Sequence, residues 1–201
     1  MSEVIAKKAY HHGDLREQLL AATRSLVEEK GPDGFSVSEA CRAAGVSTAA
    51  PYKHFSDRTD MLRAVALQGF KEMTAAIAGG AEGKTPGTVE AIAAMGTAYV
   101  AFAEAHPETF KMMFAFKGST PQMEEAGTAC YATVLQQVAI WSGRTEVDAR
   151  VLELGFPLWT FVHGLSFLRI DGKATPPKFT SEVADVVLDA TRRLLAGTGA
   201  G

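Results

Sequence analysis

The segment from Thr48 to Arg58 brings together side chains that could bind a polyanion. Within a few residues it carries a phenol, an ammonium, an imidazole and a guanidinium, on Tyr52, Lys53, His54 and Arg58. Hydroxyl and ammonium groups suit phosphate oxygens, whereas short side chains such as those of Thr48 and Ala49 suit the edges of bases. Such chemistry needs a scaffold that presents these groups on one surface.

The residues just before this segment predict that scaffold. Ser36 followed by Glu39 is a capping-box pattern, which begins a helix, and Gly45 supplies the left-handed conformation that ends it. Ser47 can cap a second short helix immediately afterwards. Two short helices around a glycine turn predict a helix-turn-helix, whose second helix enters the major groove of DNA. The alternative is ordinary helix packing, because short capped helices are common in all-α proteins.

The second helix and its flanks favour the DNA-binding alternative. They resemble the signature of the tetracycline-repressor (TetR) family of bacterial regulators through Gly45, Val46, Ser47, Tyr52, His54, Phe55, Arg58 and Met61. The resemblance extends back through YHHGDLREQLLAATRSLVEEKGPDGFSV and covers the first third of the chain. Arg58 and Met61 stand where the family more often has Lys and Leu, and both keep the chemical character of the position.

The resemblance implies a DNA-contacting set of Thr48, Ala49, Tyr52, Lys53, His54 and Arg58. Tyr52 and Lys53 would meet phosphates, and Thr48 would lie near base edges. Ala49 can offer a base only a methyl contact, which suits thymine. His54 is open between phosphate contact, local hydrogen bonding and a structural role, whereas Arg58 is expected to clamp the DNA backbone.

Pro51 departs from an ideal recognition helix. It lacks the N–H that would bond to the Ser47 carbonyl. We therefore expect a loosened or distorted first turn in this helix.

Composition agrees with a soluble, cytoplasmic protein. Apolar residues make up 47% of the 201 residues, charged residues 21%, and the net charge is −3. Residues 1–63 contain nine basic and nine acidic residues, so DNA attraction must depend on local clusters around Lys7, Lys8, His11 and His12, and around Lys53. We expect no membrane span and no signal peptide. Cys41 and Cys130 lack metal-ligand spacing and are expected to be reduced and structural.

The order of patterns predicts an all-α fold of about nine helices. A three-helix DNA-binding head spans 11–72 and a helical ligand-binding and dimerisation bundle spans 85–197, with a linker at Gly79–Thr88. We expect helices at 14–30, 57–77, 88–105, 107–118, 121–141, about 146–170 and 180–196 besides the two short ones. Thr145 is expected to cap the long apolar helix, and Thr180 or Ser181 the last one.

The C-terminal half predicts a cavity between helices. Its segment LWTFVHGLSFL resembles the WHG-type domain of the same family through Trp159, His163 and Gly164. Large side chains at helical spacing usually belong to a hydrophobic core, but they can also line a ligand pocket in which a few polar groups orient the ligand. The candidate pocket residues are Tyr99, Phe102, Met113, Phe116, Trp159 and His163. Pro157 is expected to kink its helix or open its hydrogen bonding.

The resulting interpretation is a ligand-responsive, homodimeric transcriptional repressor that binds a palindromic operator and has a hydrophobic effector. The last two helices would pair with those of a second copy through Leu165, Leu168, Val187 and Leu194. The alternative is a helical small-molecule-binding protein or enzyme without DNA-binding activity. No catalytic triad, phosphate loop, metal spacing or cofactor motif supports an enzyme.

Overall fold

The computed structural model describes residues 12–115, 119–175 and 180–197, with the backbone alone for 12–14. In these ranges the protein is entirely helical, with eight α-helices and one 3-10 helix, which confirms the predicted all-α class and its approximate helix number. The α-helices are α1 His12–Lys30, α2 Val37–Ala43, α3 Arg58–Gly80, α4 Val89–Ala105, α5 Pro107–Ala115, α6 Pro121–Trp141, α7 Ala149–Ile170 and α8 Val183–Ala196. The predicted pocket residue Phe116 and the basic residues Lys7, Lys8 and His11 lie outside the described ranges.

The chain divides into two compact units, Met1–Val65 (unit 1) and Ala66–Gly201 (unit 2). The division falls inside α3. In unit 1, α1 packs against α2, and the core contains Leu19, Val27, Ala40 and Phe55. Burial of each large apolar side chain contributes about 1.5–3 kcal/mol.

The local signals around α2 are confirmed. The Ser36 hydroxyl accepts a hydrogen bond from the backbone N–H of Glu39, and the Ser36 N–H donates to Glu39 Oε2 at 2.8 Å. The Lys30 ammonium and the Ser36 groups bind the same carboxylate and lower the pKa of Glu39 to about 2. Gly45 has φ +68°, the left-handed conformation that ends α2 without strain.

Unit 2 is built around α4, which packs against α5, α6, α7 and α8. Apolar side chains of α4, α6, α7 and α8 form a common core that includes Ile92, Val138, Val151, Leu154 and Leu195. Thr88 caps α4 by accepting from the Ala91 N–H, and Thr120 caps α6 by accepting from the Met123 N–H.

The predicted linker is instead part of the folded unit. Gly79 and Gly80 are the last residues of α3, and the backbone N–H of Gly87 donates to Gln137 Oε1 on α6 at 2.8 Å. A glycine pattern alone did not reveal this contact, which ties the turn before α4 to a helix fifty residues away.

Two predicted helix caps are corrected. Asp148, not Thr145, caps α7, because its Oδ1 accepts from the Val151 N–H while its Oδ2 accepts from Arg144 at 2.9 Å. The hydrogen bond from Val151 lowers the pKa of Asp148. Glu182, not Thr180 or Ser181, stands at the start of α8, and its side chain makes no capping bond.

Helix α7 has two distinct apolar faces. Its inner face is buried in unit 2 and consists of Val151, Leu154, Gly155, Leu158, Val162 and Ser166. Its outer face is exposed in the single chain and consists of Leu152, Phe156, Thr160, Gly164 and Leu168. Within the described ranges, α7 is the one helix whose length and composition would allow it to cross a membrane, and one third of its most apolar window is buried. The same composition is found in core helices, and α7 packs against α4, α6 and α8.

Candidate DNA-binding surface and ligand cavity

The predicted recognition helix is a turn followed by the 3-10 helix Pro51–Lys53. The Ser47 carbonyl accepts from the Ala50 N–H at 3.0 Å, because Pro51 has no N–H to offer in the α-helical pattern. The expected loosening is therefore confirmed, and it extends over the whole segment, since residues 48–55 form no α-helix.

Four of the predicted DNA-contacting side chains are exposed on this segment: Thr48, Ala49, Tyr52 and Lys53. Tyr52 has 64% of its surface exposed, so its phenol is open to a partner. Pro51 and Phe55, which belong to the same segment, are buried and anchor it. The arrangement presents hydroxyl, methyl and ammonium groups on the outside of an anchored turn.

The other two predicted contacts are less exposed. Arg58 donates from Nε to the Phe35 carbonyl at 3.1 Å and from a terminal nitrogen to the Pro32 carbonyl, and its guanidinium lies over the Phe35 ring. It thus fixes the start of α3 to the loop before α2, a role that sequence reasoning missed. His54 Nε2 is buried and has no hydrogen-bond partner in the described part of the chain. Phosphate contact by Arg58 and His54 stays a prediction.

Unit 2 encloses a cavity of about 460 Å³. Side chains of α3, α4, α5, α6 and α7 form its wall, with Thr191 from α8. The size lies in the usual range for small-molecule sites, and the lining includes six aromatic and four thioether side chains. The geometry can enclose an apolar molecule of small size.

Tyr99 and Trp159 both line this wall and share a hydrogen bond. The Tyr99 hydroxyl is 2.8 Å from His163 Nδ1, and burial raises the pKa of Tyr99 well above its usual value, an effect that a hydrogen bond from Trp159 partly offsets. Because the indole N–H can only donate, the Tyr99 O–H is left to donate to His163. Burial also lowers the pKa of His163, so its imidazole is neutral at pH 7.

The structure brings three of the six predicted pocket residues to the cavity: Tyr99, Met113 and Trp159. His163 lies behind the wall, where its ring packs against Phe110, Phe114 and Phe167. Phe102 is buried with its ring 5.0 Å from that of His106 and does not line the cavity. Sequence reasoning missed Phe70, Met73 and Ile77 of α3, whose spacing of three and four residues places them on one helix face.

Both cysteines are free and buried. Cys130 lies at the cavity wall, and burial raises the pKa of its thiol. Burial likewise raises the pKa of Cys41. Raised thiol pKa values disfavour the reactive thiolate, which suits the structural role predicted for both.

The predicted dimer contacts are placed differently. Leu168 is exposed, and Leu165 and Leu194 are half-buried. Val187 has no exposed surface within the single chain, so its expected place in an interface is corrected: its methyl groups fill the space beside Gly96, where a Cβ would lie 2.9 Å from Val187 Cγ1.

The two units match two known domain families. Residues 19–65 match the family described as bacterial regulatory proteins, tetR family, and residues 92–191 match the tetracyclin repressor-like C-terminal domain. The chain belongs to the TetR family. It is a DNA-binding transcriptional regulator whose unit 1 carries the family's helix-turn-helix and whose unit 2 is of the family's ligand-binding type.

Solved structures show the same TetR fold. A protein of unknown function from Rhodococcus sp. RHA1 is 34% identical, with a TM-score of 0.79, and the match covers 95% of this chain and 98% of that one. The TetR family transcriptional regulator PfmR from Thermus thermophilus is 22% identical, with a TM-score of 0.64 and coverage of 90% and 98%. The fatty acid degradation regulator FadR from Bacillus halodurans is 14% identical, with a TM-score of 0.67 and the same coverage. No curated protein matches the sequence.

Proposed function

We propose that the protein is a cytoplasmic, homodimeric repressor that binds a palindromic operator and is released by a mostly hydrophobic small molecule. The observation that carries DNA recognition is the exposed set Thr48, Ala49, Tyr52 and Lys53, held above the buried Pro51 and Phe55. Tyr52 and Lys53 hold phosphates, while Thr48 and Ala49 lie at base edges.

The outer face of α7 supports the homodimer. Phe156 and Leu168 are 58% and 47% exposed, and an apolar groove between α7 and α8 is lined by Phe156, Pro157 and Leu194. A second copy buries this face through the same residues, as a twofold axis requires. Two heads in one dimer then read the two halves of a palindrome.

Helix α3 is the element that connects effector and DNA. Its first turn is fixed in unit 1 by Arg58, and three of its later residues, Phe70, Met73 and Ile77, line the cavity of unit 2. A Cβ on Gly69 would lie 2.6 Å from Met113 Sδ, so α3 and α5 are in close contact beside the cavity. An effector that fits one position of α3 better than another shifts the equilibrium by its difference in affinity for the two states.

The test is a fluorescence-anisotropy titration of the protein on the DNA upstream of its own gene, at several salt concentrations and against competitor DNA. We expect tight binding that survives competitor and weakens as salt rises, because phosphate contacts release counterions. Binding no stronger than to competitor, repeated with a genomic pool of DNA fragments, would contradict operator recognition.

Two variants separate the roles within the segment. Tyr52→Phe is expected to weaken binding to all sequences alike, whereas Thr48→Ala is expected to change the preferred site. Thr133→Ala, at a partly exposed threonine on α6, is the matched control and should leave both properties unchanged. If Tyr52→Phe and Thr48→Ala changed only the overall affinity, the division of roles would be wrong.

A further inference from the structure

Aromatic side chains form a large part of the wall of the cavity in unit 2. Six aromatic side chains line it, and they come from five different helices: Phe70, Tyr99, Phe114, Tyr131, Trp159 and Phe161. Four methionines fill the spaces between them. Aromatic faces and edges pack best against other flat rings, and thioether chains adapt to the remaining outline.

Charge is confined to one edge of this wall. Among the lining residues that the structure describes, Glu124 is the one charged side chain, and it is exposed on α6. Ser119 and Thr128, the neighbouring polar lining residues, are exposed as well. These three mark the polar mouth of the cavity. An anionic group would find no lysine, arginine or histidine among the described lining residues.

Deeper in the cavity, few polar atoms are left for a ligand. The Tyr99 hydroxyl is bonded to His163 Nδ1, and Thr191 Oγ1 donates to the Val187 carbonyl at 2.7 Å. The Tyr131 hydroxyl is buried against α7, 3.0 Å from the position of a Cβ on Gly155. The Tyr131 hydroxyl has no hydrogen-bond partner in the described part of the chain, so it is a neutral group left for a ligand. A charged or strongly hydrated group in this part of the cavity would lose its water and gain little more than that one bond.

From this wall we infer that the effector is an uncharged, ring-bearing molecule of mainly hydrocarbon character, whose polar group points to Ser119, Glu124 and Thr128. The inference rests on the proposed effector role of the cavity and specifies its ligand. Fatty carboxylates are poor ligands on this geometry because the described lining residues offer them no basic partner. Lipophilic cations are poor ligands because Glu124, the one carboxylate among those residues, is exposed to water at the mouth.

Binding is measured on the whole protein without DNA, so that its outcome is independent of operator recognition. The probe is N-phenyl-1-naphthylamine, an uncharged two-ring fluorophore. We expect saturable binding of one probe per chain and competition by the uncharged 4-phenylphenol. Decanoate and tetraphenylphosphonium should compete at least about tenfold more weakly, since each carries a charge into the apolar wall.

Variants at Gly127 locate the site. A Cβ there would meet the Phe70 ring at 3.5 Å, an ordinary contact, so Gly127→Ala is expected to bind the probe as the original protein does. Gly127→Met extends further into the cavity and should weaken binding at least about tenfold while the melting temperature stays near that of Gly127→Ala.

The inference is overturned if the folded protein does not bind the probe, or if decanoate or tetraphenylphosphonium competes as well as 4-phenylphenol. It is also overturned if Gly127→Met binds the probe normally. If the protein binds the probe as expected but shows no operator binding, the ligand assignment stands and the proposed repressor function fails.

Discussion

The two faces of α7 are both largely apolar but differ in what covers them. The inner face packs on the helices of its own unit. Its glycine, Gly155, is required there because a Cβ would lie 2.3 Å from Leu135 Cδ2. The outer face carries Phe156 and Leu168 in the open, and a Cβ on Gly164 would have nothing within 4 Å. A glycine inside a helix costs about 1 kcal/mol of stability relative to alanine. No close contact within the described part of the single chain requires a glycine at position 164.

The contacts within a single chain therefore explain the residues of the inner face but not those of the outer face. The inner face is packed as a protein core is, whereas the outer face has the composition expected of an interface with a second copy of the chain. The following experiments test that distinction, beginning with the largest expected effect.

The first places a charge on the outer face. Leu168→Glu buries an unpaired carboxylate if a second copy covers this position, at a cost on the order of 3–5 kcal/mol, and should give monomers in analytical ultracentrifugation. Ile140→Glu is the matched control, because Ile140 is exposed to a similar degree, 50%, on α6 beside the turn at Gly87. Dimers that persist in Leu168→Glu would rule out this face.

The second overfills the inner face. Gly155→Ala forces Leu135 and Tyr131 aside in a close-packed region, and we expect a loss of about 1–3 kcal/mol in the free energy of unfolding. Urea denaturation followed by circular dichroism measures the loss. A variant as stable as the original chain would mean that the contact between α6 and α7 is looser than these distances indicate.

The third makes the same change on the other face. In the monomeric Leu168→Glu background, Gly164→Ala should stabilise the chain by about 0.5–1 kcal/mol, because alanine favours the helix. In the dimer it should instead promote dissociation, since the added methyl group occupies space that the partner helix needs. An equal gain in both backgrounds would show that no close helix approach occurs at Gly164.

The smallest effect concerns His163, which lies beside the inner face. Its folded pKa is lowered by burial, so below the unfolded pKa of about 6.5 the unfolded chain binds a proton that the folded chain does not. Stability therefore falls as pH drops through this range, down to the folded pKa. His163→Asn should show a smaller decrease in melting temperature between about pH 7.5 and about pH 5.5, and an unchanged decrease would exclude His163 as its source.

The sequence predicted those features that depend on a few neighbouring residues. The capping box at Ser36 and Glu39, the left-handed Gly45 and the disturbance caused by Pro51 are local rules of hydrogen bonding and backbone geometry. The full loss of α-helix after Ser47 was not anticipated, because the effect of one missing N–H spread through the whole short segment.

Features that depend on distant contacts were harder to predict. The glycines near Gly87 suggested a linker because their sequence does not show the bond to Gln137. Periodicity placed Phe102 and His163 among the large side chains of unit 2 but could not say which of them end at the cavity. Arg58 was expected at DNA, and its bonds to the carbonyls of Pro32 and Phe35 depend on the fold of the loop before α2.

Pro157 has a consequence for the chain before it folds. It interrupts the run LGFPLWTFV, which is rich in aromatic and branched residues and carries no charge. Such runs form intermolecular β-structure when they are exposed during synthesis, and a proline removes the N–H that a growing sheet would need. In the finished helix the same proline costs one hydrogen bond, and we expect it to disfavour aggregation of the newly made chain until the segment folds.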